Sequence, residues 1–363
     1  MRHVVIRRPG GHDRLSIERG PDREPGPGEV AVEVEAAGVN YADCVVRMGL
    51  YASAKKYVGW PITPGFEFAG RVAAIGEGPS PPAPLPGEGG GEGAAGAGAL
   101  AVGAPVFGVT RFGGYASRVV VPRAQVFARP GRLSALEAAA LPTAFLTAYY
   151  ALFELAAAKA GARVLVHSAA GGVGSALLQL CRASGVRAFG VVGAAHKVAA
   201  ALEFGAEAVV DKGREALWPA ARAFAPEGFD AAFDANGHAT LRESYRHLAP
   251  TGRLVVYGFH AMMPRRGGRP NYLALALSVL RTPRFSPLAL TGDNKAVFGF
   301  NLSYLFDRSE LLRAAMARLV GWLEAGDVAP PRVRAYPVER VADAHRDLES
   351  GATVGKLVLT FGA

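Results

Sequence analysis

Cysteine is scarce: the 363 residues hold two, Cys44 and Cys181. Two thiols cannot build a disulfide framework or a cysteine-rich zinc lobe. The eight histidines never stand in a metal-like spacing with one another. A long unbroken apolar run is also missing. The longest apolar stretch, Ala135–Ala160, is interrupted by Glu137, Pro142 and Glu154, so a membrane span is not expected. The opening residues, MRHVVIRRPGG, lack the apolar region of a secretory signal and read as a first strand. A soluble, cytoplasmic protein is the expectation. No basic run is interleaved with aromatics, which excludes nucleic acid as a favoured partner despite a net charge of +9 and a pI of about 9.7. The positive surplus is scattered, and such a field favours an anionic cofactor. What remains is a chain that is 50% hydrophobic, with enough length for two domains and a large core.

The richest segment is Arg163–Arg182, RVLVHSAAGGVGSALLQLCR. Val164–Val166 read as a strand. The run then breaks at Ala169–Gly174, and Val173, Leu177, Leu180 and Cys181 fall at helical spacing. Strand, glycine turn and helix together form a dinucleotide cradle. The glycines allow close approach to a pyrophosphate, and the helix start supplies N–H groups and partial positive charge. The cradle residues are Ala170, Gly171, Gly172, Val173 and Gly174. The next strand, Ala188–Val192, lacks the acidic residue that would bond a ribose 2′-hydroxyl. Gly193 follows, and Lys197 sits one turn into the next helix. No repulsion and one added cation favour a 2′-phosphate, hence NADPH; a solvated helix lysine is the plainer reading of Lys197.

Residues 1–76 read as β-rich, with VAVEVEAA at 30–37 alternating valine with glutamate. Residues 79–103 are proline-, glycine- and alanine-rich without period, and read as a flexible surface loop. From Ser134 onward, helices alternate with short apolar strands in the rhythm of a parallel sheet. Phe259–Pro287 reads as less regular. It holds Arg265, Arg266 and Arg269 and then the apolar Tyr272–Leu280. A helix at Glu310–Ala325, a strand near Arg332–Tyr336, a helix at Val338–Ser350 and a strand at Lys356–Phe361 close the chain.

In order along the chain, GVNYAD (38–43), GLY (49–51), PGFEFAG (64–70), LPTAFLTAYYAL (141–152), AAGGVG (169–174), YPVERVADAH (336–345) and VGKLVL (354–359) resemble one superfamily. It is the medium-chain dehydrogenase/reductase superfamily, in its zinc-free quinone oxidoreductase branch. FGFNLSYL at 298–305, and the basic-then-apolar stretch before it, are similar to the vesicle-amine-transport-like proteins of that branch. The resemblance implies an α/β fold. A Rossmann doubly wound parallel sheet domain (129–302) would be inserted in a GroES-like β-rich catalytic domain (1–128 plus 303–363), with the active cleft between them. It also implies a homodimer.

Zinc-containing relatives place a cysteine near the Asn40 position and Gly-His-Glu at Gly65–Phe66–Glu67. Only Glu67 remains here as a ligand, and one carboxylate does not hold zinc, so no metal is expected. Hydride transfer without a Lewis acid suits a quinone or an α,β-unsaturated carbonyl, which conjugation already activates. By the resemblance, Asn40 lies beside the nicotinamide ribose and the substrate, where its amide can donate to a developing oxyanion; a helix-cap asparagine is the plainer alternative. Tyr51 stands where related enoyl-thioester reductases use a tyrosine to orient or protonate the substrate; a half-buried loop aromatic is the alternative. Thr147 corresponds to a threonine at the nicotinamide end, or is a helix threonine bonded to its own backbone. Gly190, Gly193, Lys197 and Lys212 correspond to the adenosine-phosphate pocket, although Lys212 replaces a tyrosine. Gly258, Phe300 and Leu302 correspond to cofactor contacts. Gly351 stands where some relatives have a phosphate-holding arginine. Cys44, with no base or cation nearby in sequence, reads as packing. An NADPH-dependent quinone or enone reductase is the leading expectation. The alternatives are an enoyl-thioester reductase, or an NADPH-binding protein with little turnover that touches a membrane surface.

Overall fold

The computed structural model describes residues 1–77, 100–263 and 268–362. Most of the proline- and glycine-rich stretch expected to be a loop, residues 79–99, lies outside them, as do Arg265 and Arg266. The N-terminal part runs β1 (Arg2–Val5), β2 (Ser16–Arg19), β3 (Glu29–Val39), α1 (Tyr41–Arg47), α2 (Ala52–Tyr57), β4 (Glu67–Ile75), β5 (Pro105–Val109), β6 (Arg118–Pro122) and β7 (Val126–Ala128). Next come α3 (Ala135–Ala140), α4 (Pro142–Tyr149), β8 (Arg163–His167), α5 (Gly172–Ala183), β9 (Arg187–Val192), α6 (Val198–Phe204), β10 (Ala208–Asp211), α7 (Leu217–Phe224), β11 (Phe229–Asp234), α8 (Leu241–Arg246) and β12 (Leu248–Val256). The chain ends with α9 (Tyr272–Arg281), α10 (Pro287–Asp293), β13 (Ala296–Gly299), α11 (Ser309–Ala325), β14 (Val333–Pro337), α12 (Val341–Ser350) and β15 (Lys356–Thr360).

Two large sheets organise these elements. One has the order β10-β9-β8-β11-β12-β13, parallel throughout. That order reverses beside β8, which opens a crevice at the carboxyl ends of the strands. The other has the order β14-β15-β3-β4-β5-β7, with β6 also on β3. Its strands β14 and β15 come from the far end of the chain, and β15 pairs antiparallel with β3 through Leu357↔Val39 to Thr360↔Ala36. The return of β15 sets its first residue, Lys356, beside the end of β3.

The segment between the sheets is helical because its residues suit burial from several sides. Ser134 caps α3 in a reciprocal box with Glu137. Ala138–Leu141 and Ala144–Leu146 are all buried, in one apolar cluster with Phe66, Phe107, Leu177 and Leu319. Small side chains let the mixed sheet and α5 approach this pair of helices closely.

The stretch expected to be irregular after Phe259 is instead largely helical, with α9 and α10. Asn271 and Ser286 cap them, each accepting an N–H from three residues on. The sequence of α9, YLALALSVLR, is apolar at all positions but Ser278 and Arg281. It also leaves Leu273 81% and Leu280 75% exposed. β13, unmarked by any alternation, is the edge strand of the parallel sheet.

Candidate active site

The floor of the crevice is the turn after β8. Ser168 takes a left-handed conformation (φ 54°), and the chain then enters α5 at Gly172. Glycine is required at two points here. A Cβ on Gly174 would sit 2.3 Å from the Ser168 carbonyl, and one on Gly172 would sit 2.7 Å from Cδ of Lys356. Ala170 is buried and Val173 half-buried. Gly171 bridges to Gly355, and the Gly355 N–H donates to the Ala170 carbonyl at 2.9 Å. The turn is thus held against the returning C-terminal tail.

At the end of β9 stands Gly193, with Lys212 beside it and Lys197 four residues on in the chain. Lys197 caps α6 and donates to the Gly351 carbonyl at 2.5 Å. Burial holds its ammonium below the ordinary lysine range. Gly351, with a left-handed φ of 68°, thus supplies a backbone acceptor where some relatives carry an arginine. Lys212 follows β10; its backbone N–H donates to the Val192 carbonyl at 3.1 Å, and its Cε lies 3.8 Å from where a Gly193 Cβ would be. Gly190 lies within β9, against Ala169 and Ala206. Gly258 follows β12 and packs on Ala235.

A polar knot stands across the crevice, on the ends of β3, β4 and β15. Glu67 is fully buried and Lys356 nearly so. Lys356 Nζ donates to Glu67 Oε1 (2.7 Å), to Asn40 Oδ1 (2.6 Å) and to the Val39 carbonyl (3.1 Å). Asn40 Nδ2 donates to Glu67 Oε1 at 2.8 Å, and the Thr143 N–H donates to Glu67 Oε2 at 2.7 Å. Asn40 is also the N-cap residue of α1, and its N–H donates to Asp43 Oδ2 at 2.8 Å. Both oxygens of Glu67 are therefore engaged and its charge is matched by an ammonium. With Phe66 apolar and Asn40 an amide, this set does not fit zinc.

The remaining expected residues line the same side. The Tyr51 hydroxyl donates to Asn301 Oδ1 at 2.8 Å, and its ring meets Phe66 and Phe112 edge-on. Burial raises the pKa of this phenol, so it stays protonated at neutral pH. Thr147 Oγ1 donates to the Thr143 carbonyl at 2.7 Å, the self-bonded helix arrangement. Phe300 stacks at a tilt on Tyr150, with ring centroids 5.0 Å apart, and Leu302 is buried beside it in the chain.

Sequence reasoning missed two residues here. His260, just past β12, lies with its ring 4.1 Å from that of Tyr41 on α1, and burial pushes its pKa down to about 4. No local signal marks it, because separate segments make the contact. Lys356 was legible only as part of VGKLVL, and its partners come from β3 and β4.

Cys44 is buried, as a packing residue is, but its surroundings are polar. The thiol is buried among Arg47, His345 and Glu349, brought there by α12 packing on α1. Burial and the Glu349 carboxylate push its pKa well up, so it is not a nucleophile. Cys44, His345 and Glu349 have metal-like spacing. However, Arg47 donates to Glu349 at 2.7 Å and lies 3.4 Å from His345, so a cation already fills that role.

Comparison with known proteins gives consistent matches. Residues 26–131 match the alcohol dehydrogenase GroES-like domain, and residues 204–359 match the zinc-binding dehydrogenase family. The chain is 34% identical over 366 aligned positions to the synaptic vesicle membrane protein VAT-1 homolog of Mus musculus, covering 100% of this chain and 84% of that protein. It is 28% identical to a quinone oxidoreductase of Lama guanicoe, over 91% of this chain and 88% of that one. Among solved structures, mycobacterial Rv1454c complexed with NADPH superposes with a TM-score of 0.80 at 27% identity, covering 99% of this chain and 100% of that one.

Proposed function

The chain belongs to the medium-chain dehydrogenase/reductase superfamily, and on that premise we propose that it is a zinc-independent, NADPH-dependent reductase of quinones or α,β-unsaturated carbonyls. The observation that carries this reading is the contact of Gly172 with the stem of Lys356. It makes the dinucleotide turn and the Asn40–Glu67 knot two sides of one site. The NADPH in the Rv1454c structure supports the same coenzyme here.

When bound, NADPH supplies a hydride from C4 of its nicotinamide. The turn at 170–174 and the start of α5 receive the pyrophosphate. Lys197 and Lys212 receive the 2′-phosphate. Asn40 donates an amide N–H to the carbonyl oxygen as it gains charge. In an enone the β-carbon accepts the hydride, the α-carbon then takes a proton, and the enolate becomes a ketone. In a quinone the hydride brings two electrons and one hydrogen, and a single added proton completes the hydroquinone. Solvent or the Tyr51 hydroxyl is the source; Tyr51 must turn from Asn301 to act.

The test is steady-state NADPH oxidation with quinones, enones and enoyl thioesters. A conjugated acceptor should turn over, and failure with every one would remove the reading. Lys197→Ala should weaken NADPH by roughly tenfold or more, the scale of one charged hydrogen bond, while sparing NADH. Equal losses for both coenzymes would place the phosphate pocket elsewhere.

A second reading, action at a lipid surface, is favoured by α9. Among the described residues no helix is long and apolar enough to cross a membrane. Yet Tyr272, Leu273, Leu277 and Leu280 are exposed on one short helix, with Arg269 and Arg281 exposed near its ends. Apolar side chains with flanking cations suit the face of an anionic bilayer. Vesicles containing anionic phospholipid should float the wild type and release Leu273→Glu/Leu277→Glu. Equal flotation of the two would remove the idea.

A further inference from the structure

We propose that Lys356 is a positioning residue that fixes the orientation of the Asn40 amide, so that an N–H and not the carbonyl oxygen faces the reacting group. The inference deepens the reductase reading and rests on it. An amide presents two nearly isosteric ends, and only its partners decide which end points where. Here the partners leave no choice. An ammonium only donates, so Lys356 can meet only Oδ1. A carboxylate only accepts, so Glu67 can meet only Nδ2. Both contacts are short, 2.6 and 2.8 Å.

The remaining bonds close the arrangement. Lys356 commits its three hydrogens to Asn40, Glu67 and the Val39 carbonyl, so it has no donor left to redirect. Glu67 Oε2 is held by the Thr143 N–H. One Nδ2 hydrogen goes to Glu67, and the second is left for a ligand on a half-buried residue. Were the amide turned over, a carbonyl oxygen would face a substrate oxygen that is gaining negative charge. The stem of Lys356 lies on Gly172, so the residue that orients the donor also touches the cofactor turn.

The experiment compares wild type, Lys356→Met/Glu67→Gln, Asn40→Ala and the triple variant. The double change removes both charges together and keeps an unbranched stem against Gly172. The side-chain amide that replaces the Glu67 carboxylate both donates and accepts, so it no longer selects one orientation of Asn40. The double variant should bind NADPH as the wild type does and keep its KM for the acceptor. Its kcat should fall on the order of 10²-fold, the usual scale of a misplaced catalytic group. Adding Asn40→Ala should cost little more, because the two changes remove one function. Wild-type kcat in the double variant, or fully multiplied losses in the triple, would overturn the proposal. A second readout needs no coenzyme. In ¹⁵N spectra of the free wild-type protein, the Nδ2 protons of Asn40, assigned by their loss in Asn40→Asp, should differ, with the proton bonded to Glu67 exchanging slowly with water. Fast exchange of both protons would overturn the proposal even if the double variant does not fold. Absence of turnover in the wild type, with that proton held, would instead sink the reductase reading and leave the positioning claim standing.

Discussion

Asp43 shows how one buried side chain can make stability depend on pH. It has no exposure to water and accepts from the Asn40 and Gly65 N–H groups and from the Tyr115 hydroxyl. Those donors favour the carboxylate, but burial outweighs them and pushes its pKa up from 3.8 to about 7. Between these values the unfolded chain releases a proton that the folded protein retains. This group's stabilisation is therefore complete at acid pH and is lost as pH rises towards 7, at about 1.4 kcal/mol per pH unit. Asp43→Asn cannot ionise, and its amide nitrogen must face donors, so it should be less stable than wild type. Its deficit should shrink from pH 4 to pH 7. Urea midpoints across that range would show it, and a constant deficit would mean that Asp43 is ionised throughout.

At the scale of elements, α5 and α9 make a contrast. The strand, turn and helix of residues 163–183 were legible because every cue was local: apolar run, glycines, then helical spacing. α9 has no glycine turn or strand beside it to mark its start, so its sequence read as an apolar stretch in a less regular region. Its exposure also carries an expectation about stability. Leu273 and Leu277 have few neighbours to lose, so Leu273→Glu/Leu277→Glu should change the unfolding free energy by no more than about 0.5 kcal/mol per site. A large drop in melting temperature would mean that α9 packs more tightly than described, and would void the use of that variant on vesicles.

At the scale of the whole molecule, Arg47 joins distant segments. Its guanidinium is fully buried and donates to Glu349 (2.7 Å) and to the carbonyls of Gly268 (2.9 Å) and Gly10 (3.3 Å). These partners come from α12, from the chain after β12 and from the N-terminal segment. Arg47→Met would leave the buried Glu349 carboxylate without its guanidinium, facing His12 at 3.0 Å and the Cys44 thiol. The loss should be about 3–5 kcal/mol, the usual cost of breaking a buried ion pair from one side. Arg47→Met/Glu349→Gln should recover part of it. Denaturant midpoints would test both, and equal losses in the single and double variants would deny the pairing its role.

The sequence alone determined the glycine turn, the missing acid after β9, the missing zinc ligands and the rhythm of the parallel sheet. Each is written in residues within a few positions of one another, where spacing and side-chain type suffice. Tertiary structure alone decided that Lys356 meets Asn40 and Glu67, that His260 lies on Tyr41, and that Cys44 sits among charged groups. Those contacts join residues far apart in the chain, and they exist only because β15 returns to β3 and α12 closes on α1. Local propensity has no term for such closures; they follow from pairing β15, near the end of the chain, with β3, more than 300 residues earlier.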